Sequence, residues 1–344
     1  MAMLIDWFLD LWDNMPAGKI GRGLLALLLL VIAVSVPLGV YWSITPPAFE
    51  PVQAAKEEAA TTGLAPTTGY TTVYTLHRLV STLLDKPGGY ISNDRLPPGV
   101  WLDNISNWEF GVLVQSRDLA RAMRKDFSRS QSQSVENPAL TVAEPQLHFD
   151  NNSWWLPSSE SQYREGLEAL SKYQQGLASV SEGQTQFYAR ADNLNNWLAD
   201  VQTRLGSLSQ RLSASVGQKR LNTDLAGDPE AAQSTGTPQL QEVKTPWLEI
   251  DDVFYEARGS AWALLHILKA IEHDFAAVLE KKNARVSLQQ IIRELEATQE
   301  TVWSPMILNG GGFGLFANHS LVMANYISRA NASIIDLREL LARG

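Results

Sequence analysis

Residues 24–41, LLALLLLVIAVSVPLGVY, contain no charged side chain, and with Gly23 and Trp42-Ser43-Ile44 the uncharged run reaches 22 residues. At about 1.5 Å of rise per residue this is roughly 33 Å of helix, enough to cross the hydrocarbon core of a bilayer. The run is apolar on every side, whereas a core helix of a soluble protein keeps a polar face. A cleaved leader has a shorter apolar stretch and a small-x-small site; here the stretch is longer, and no Ala-x-Ala follows closely. Tyr41-Trp42 adds an aromatic interface mark, and Pro37 lies near the exit, where a span tolerates it. Residues 23–44 therefore read as a transmembrane helix.

Upstream, residues 1–22 are too few for a cytoplasmic domain. LIDWFLDLW at Leu4–Trp12 places Asp6, Asp10 and Asp13 on one helical face among apolar residues. That pattern fits a short helix lying in the interface, and Pro16-Ala-Gly18 separates it from the span. Lys19 and Arg22 precede the span, and no basic residue follows until Lys56. The positive-inside bias puts the N-terminus in the cytoplasm and the remainder outside, in the periplasm of a bacterium, with the span in the inner membrane.

The formal charge of −9 over 344 residues lies mostly beyond the span and forms no basic stripe, which argues against nucleic acid and against electrostatic docking on anionic lipid. The absence of Cys removes disulfides, thiolate nucleophiles and Cys-based zinc sites. Eleven Trp is a high count, and several stand beside polar segments rather than inside apolar runs.

Downstream, residues 45–68 are rich in Pro, Ala, Thr and Glu and read as a tether. Residues 69–216 form a helical region. Its first stripe is Val73, Leu76, Leu79, Val80, Leu83 and Leu84, ended by Lys86-Pro-Gly-Gly89. After Pro157, Ser159 and Gln162 make a capping box. A seam then runs from Tyr163 to Leu212 in alternating steps of four and three, with one three-three step at Leu177–Val180. This is a heptad pattern with a single stammer, about 80 Å long if unbroken, although Gly166, Gly176, Gly183 and Gly206 favour a bend or break. Its seam serves packing within a bundle or, alternatively, homo-oligomerisation through a coiled coil. Residues 217–245 read as an unstructured linker. In residues 246–344, Thr245-Pro246 opens a long helix, a hairpin turns near Asn283, and a final helix begins after the glycine-rich loop. The expected fold class is all-α: one N-terminal transmembrane helix followed by a periplasmic helical bundle with two long helices.

Two loops are the candidate binding surfaces. GGYISNDRLPPGVWLDNISNWEFG, Gly88–Gly111, places Tyr90, Asp94, Arg95, Trp101, Trp108 and Glu109 among turn residues, and Ser106 with Glu109 has the spacing of a capping box. WSPMILNGGGFGLFANHS, Trp303–Ser320, contributes Asn309, Phe313 and Phe316. It lacks the Gly-Lys-Ser/Thr of a phosphate loop. Trp154-Trp155 reads as a pair of rings covering a bundle end, or as a contact for sugar or peptide.

His266 and His273, seven apart, lie about 10 Å apart along a helix and do not by themselves hold a metal. No His-Glu-x-x-His or Gly-x-Ser-x-Gly is present, so no catalytic residue, metal or cofactor is assigned. Gly88–Asp94, Trp108–Gly111 and Asn309–Gly314 resemble a family of proteobacterial inner-membrane proteins known as a domain of unknown function. That resemblance implies an envelope location and supplies no activity. The expected role is a membrane-anchored scaffold engaging another envelope protein. The alternatives are a peptidoglycan-binding or peptidoglycan-cleaving domain, and a binder of lipid or a small ligand.

Overall fold

The computed structural model describes residues 19–131, 134–179, 185–221, 240–304, 306–310 and 314–343; the interfacial helix expected at Leu4–Trp12 lies outside them. Helix α1 (Lys19–Trp42) is followed by α2 (Pro51–Thr62), α3 (Tyr70–Asp85), α4 (Asp103–Ala122), α5 (Pro138–Leu147), α6 (Ser159–Ala178) and α7 (Ala191–Ser213). A two-stranded antiparallel ribbon, β1 (Gln218–Leu221) and β2 (Leu240–Val243), precedes α8 (Ile250–Asp274), α9 (Ala276–Lys281), α10 (Arg285–Ala297) and α11 (His319–Ala342). The fold is all-α apart from this ribbon. Gly21–Trp42 of α1 has a mean hydropathy of 2.7 and is almost wholly uncovered by protein, so it is long and apolar enough to cross a membrane.

The centre of the bundle is the pair α4 and α8, which run parallel. Asn107 Nδ2 donates to Asp252 Oδ1 near their starts, and Gln115 Nε2 donates to Ser260 Oγ further along. Two glycines let the backbones meet: a Cβ on Gly111 would lie 2.1 Å from the Glu256 carbonyl oxygen, and one on Gly259 would lie 2.0 Å from that of Trp108. Around this pair, α3, α5 and α6 cover one side and α7, α10 and α11 the other. The apolar stripes read from the sequence face inward: Leu76, Leu79, Val80 and Leu83 on α3, and Leu264, Leu268 and Ile271 on α8, are all buried.

Three segments differ from expectation. The tether is not free. Phe49 stacks on the His266 ring with centroids 4.1 Å apart and its N–H donates to His266 Nε2, Glu50 pairs with Lys269, and α2 buries Ala55 and Ala59. Its apolar face is made of alanines, too small to register as a stripe. The heptad seam is two helices, not one. Thr185 packs on Gly176, and Tyr173 Oη donates to the Gln186 carbonyl, so the chain turns back after α6. Consequently α6 and α7 run in opposite directions on opposite sides of the central pair; α6 packs on α3 and α5, and α7 on α11. The seam of α7, from Leu194 to Leu212, is buried within the chain. The stretch read as a linker contains the ribbon, while residues 222–239 lie outside the described ones. The hairpin near Asn283 is where it was expected, with Asn283 at φ 52° between α9 and α10. Residues 138–147 are helical because the Asn137 side chain accepts from Ala139 N–H and Pro138 occupies the first turn.

Candidate functional site

The loop between α3 and α4 is organised by an ion pair that neither helix pattern discloses. Lys86, the residue that stops α3, and Glu109, in the second turn of α4, are both buried, with Lys86 Nζ 2.7 Å from Glu109 Oε1. Lys86 also donates to the Gly89 carbonyl. Glu109 further accepts from Ile91 N–H, Ser92 N–H and Ser92 Oγ. Burial pushes the Glu109 carboxyl above the usual carboxylate range, while the ammonium and these donors act the other way. Glu109 is therefore not half of a capping box: Ser106 lies inside the helix, donating to the Leu102 carbonyl, and α4 begins at Asp103.

The same loop is tied to the segment before α6. Tyr90 is buried, with Oη donating to the Asn151 carbonyl. Asn93 Nδ2 donates to the Ser153 carbonyl and to Glu160, and Arg95 donates to the carbonyl and side chain of Asn152. Asp94 packs against Gly99, where a Cβ would lie 2.0 Å from its Oδ2, and its carboxyl is raised by burial and by Glu160. Trp108 is wholly buried against Trp262, with centroids 5.1 Å apart. Of the nine residues singled out from the sequence, Tyr90, Trp108 and Glu109 thus build the structure, and Asp94 and Arg95 fasten two loops together. Trp101 and Phe316 project into solvent. Asn309 forms a bridge with Asn318 across the neck of the C-terminal loop. Phe313 lies outside the described residues.

These elements share one end of the bundle. The C-terminus of α3 and the N-terminus of α4 meet there through Lys86 and Glu109, and the N-terminus of α8 joins through Asn107 and Asp252. The end of α7 joins through Arg211 and Glu256. The start of α11 joins through His319, beside Phe254, and the end of α10 through Arg258, which donates to the carbonyls of Thr298, Gln299 and Glu300. Helix α1 leaves from this end as well: a Cβ on Gly88 would lie 2.7 Å from the Trp42 ring, and one on Gly39 would lie 3.5 Å from Pro98 Cβ and Leu102 Cδ2. Every Trp that is exposed among the described residues belongs to loops at this end: Trp101, Trp154, Trp155, Trp247 and Trp303. Trp154-Trp155 therefore does not cover the bundle.

Sequence reading missed Lys86 as a partner and Trp247 and Trp303 as surface residues. For the tryptophans the available signal was their position off the helical stripes, next to polar residues. For Lys86 there was none.

Two of the grooves lined by described residues are of similar size. One of about 490 Å³ lies beside α8 and α11, lined by Phe254, Arg258, Trp303, Met323 and Tyr326 among others. Another of about 580 Å³ lies between α2 and α6, lined by Glu58, Lys172, Gln174 and Gln175 among others. No group of His, Asp and Glu among the described residues is placed to hold a metal. His266 is buried, its Nδ1 bonded to the Trp262 carbonyl and its Nε2 accepting from Phe49, so it is neutral, and burial lowers its pKa to about 4. His273 pairs with Asp274, which raises it.

Residues 17–344 match the model of a family described as an uncharacterized protein conserved in bacteria, DUF2333. The chain belongs to this family. No curated protein and no solved structure matches it. Membership covers the apolar helix and the whole bundle together, so the exposed tryptophan end is part of a DUF2333 domain and not of an appended segment.

Proposed function

We propose that this DUF2333 protein is a single-pass protein of the bacterial inner membrane, with its N-terminus in the cytoplasm and its bundle in the periplasm, acting as a scaffold that engages another envelope protein close to the membrane. The observation that carries this reading is the lock between span and bundle. Trp42 lies on Gly88, and Phe49 and Glu50 are already fixed to α8, so only residues 43–48 separate the helix end from the first lock. Six residues span at most about 20 Å. A domain held so closely has no reach across the periplasm; its partners are at the membrane. The packing of Trp42 on Gly88 and the core also favours retention of α1 over removal. Neutral surface loops with exposed apolar residues, notably Trp303, Leu315 and Phe316, are the surface offered to a partner.

Photo-crosslinking from positions 303 and 316 in living cells tests this. A discrete adduct with one membrane protein is expected. Replacement of residues 309–316 by a Gly-Ser linker with no loss of any co-purifying protein and no change in a deletion phenotype overturns it.

A second reading rests on the polar groove between α2 and α6. It sits towards the end away from the span, where the cell wall lies in the proposed topology, and offers Glu58, Lys172, Gln174 and Gln175 to a glycan or peptide. Retention of the protein on purified sacculi, lost in Lys172→Glu, supports it; no retention removes it.

A further inference from the structure

We propose that the tryptophan end of the bundle is seated in the lipid interface, so that the domain lies on the bilayer that α1 crosses; this rests on the single-span reading above. The surface consists of Leu96, Val100 and Trp101 from the loop before α4, and Trp154, Trp155 and Leu156 from the loop before α6. All six are exposed, from 52% at Val100 to 86% at Leu156. Isolated exposed apolar residues are ordinary, but here six lie on two adjoining loops that Arg95 and Asn152 tie together.

The depth of this patch follows from its contact with the span. Pro98 and Leu102 flank Val100 and Trp101 and meet α1 at Gly39, three residues before Trp42, or roughly 4.5 Å inside the helix end. Ser35, one turn further in on the same face, is buried as well. A loop packed on the side of an apolar helix below its aromatic end is at the level of the headgroups and first acyl carbons whenever that helix is in a bilayer. Small residues at positions 35 and 39 on one face allow this approach, as they do between helices in membranes. Tryptophan is the side chain best suited to that layer, with a large apolar body and one N–H for the wet side.

Charge identifies the occupant as lipid held by apolar contact rather than by its headgroup sign. Around the patch, Arg95 is engaged with Asn152, Lys86 is buried with Glu109, and Asp94 and Asp103 are acidic. Among the described residues no cluster of free basic side chains is there to select anionic lipid, so a zwitterionic bilayer suffices.

The chain has no Cys, so single labels can be placed without background. Full-length Leu30→Cys, Val100→Cys, Leu156→Cys and Val286→Cys variants are spin-labelled in phosphatidylcholine nanodiscs, and the accessibility of each label to oxygen and to a water-soluble nickel chelate is measured. Val286 is exposed at the opposite end of the bundle and reports water. The expected result is that labels at 100 and 156 favour oxygen over nickel, as does position 30, and that both shift towards nickel when the span and domain are dissolved in a non-lipid amphipol. Equal access to both reagents, matching position 286 while position 30 stays in lipid, overturns the seating and leaves the span intact. Protection of 100 and 156 from both reagents means that a protein or a second copy covers the patch, and also overturns it. A nickel-accessible label at position 30 removes the span itself, and the seating with it.

Discussion

The two ends of the bundle solve the closing of a helical core in opposite ways. At the end away from α1 the chain plugs itself. Phe127, Phe187 and Phe275 pack together with centroids 5.3–5.7 Å apart, Phe275 edge to face with the other two, and the Gly69 backbone lies against Phe187. Beside them Glu58 accepts from both Tyr70 Oη and Gln174. At the end where α1 leaves, the core is closed by a charge pair, Lys86 and Glu109, beside the buried Tyr90 and Trp108, and Trp101, Trp154, Trp155, Trp247 and Trp303 are turned outward. Rings inside and polar groups outside mark a surface facing water. The reversed arrangement marks one that faces something else.

The largest test of this contrast is to break the buried pair. Lys86→Met leaves Glu109 buried and without its counter-charge, and removal of one partner of such a pair costs about 3–5 kcal/mol. Thermal unfolding of the full chain in detergent is expected to show this loss. The double variant Lys86→Met, Glu109→Leu is expected to be more stable than Lys86→Met alone, because the uncompensated charge is gone. A near-neutral Lys86→Met would mean that the loop is not held by the pair, and the contrast between the ends would fail.

How much of this was legible depends on the range of the interaction. The stripes of α3, α4, α8 and α11 follow from 3.6-residue spacing alone, as did the turn at Asn283, since each is decided within a few residues. The stammer at Leu177–Val180 with Gly176 beside it marked where the long helix fails, but not that the chain reverses there, which depends on Thr185 packing into the space left by Gly176. Glu109 was conspicuous as an acid among turn residues, and its capping spacing with Ser106 was a real local pattern. It was outweighed by Lys86 and by Ile91 and Ser92, contacts made across the loop. Residues 45–68 read as a free tether because their hold on the bundle comes from one stacked ring, one ion pair and two alanines. The exposed tryptophans carried a partial signal, standing off every stripe, but no sequence pattern says which end of a bundle they share.

A second test acts on the link between the ends. His266 holds Phe49, and thereby the segment after α1, only as the neutral ring. Its folded pKa of about 4 lies below the unfolded value near 6.5, so the unfolded chain binds a proton that the folded chain refuses. The contribution is therefore complete above about pH 6.5 and is lost as pH falls from there to about 4, amounting to roughly 3 kcal/mol. Lys269, Glu50 and Arg78 surround the ring, so the readout is the difference between the native chain and His266→Gln. The native chain is expected to lose more stability over that interval; parallel curves would show that the ring does not control the lock.

Next in size is the crossing at the centre, on which both ends depend. Gly259→Ala places a methyl 2.0 Å from the Trp108 carbonyl oxygen, a backbone atom that has no rotamer to escape into. A loss of about 1–3 kcal/mol in the same unfolding measurement is expected. At the plugged end, Tyr70→Phe removes the hydrogen bond to Glu58 and is expected to cost about 1 kcal/mol. If Gly259→Ala were harmless, α4 and α8 would have to be able to slide apart, and the placement of Asn107 and Asp252 at one end would lose its support.

The smallest expected effect is the most telling for the contrast. The Trp155 ring lies against that of Trp154, at a centroid distance of 5.4 Å, and is two-thirds exposed, so Trp155→Ser is expected to change the stability of the chain in detergent by no more than about 0.5 kcal/mol. An aromatic residue of the plugged end changed in the same way would open a cavity costing several kcal/mol. A side chain whose removal is neutral for the fold, yet which presents a large apolar ring to the outside, is retained against its own tendency to aggregate for some purpose other than packing. Should Trp155→Ser instead melt the domain as a core substitution does, the rings at that end would belong to the fold, the two ends would differ only in degree, and the reasoning from outward tryptophans to a covered surface would lose its premise.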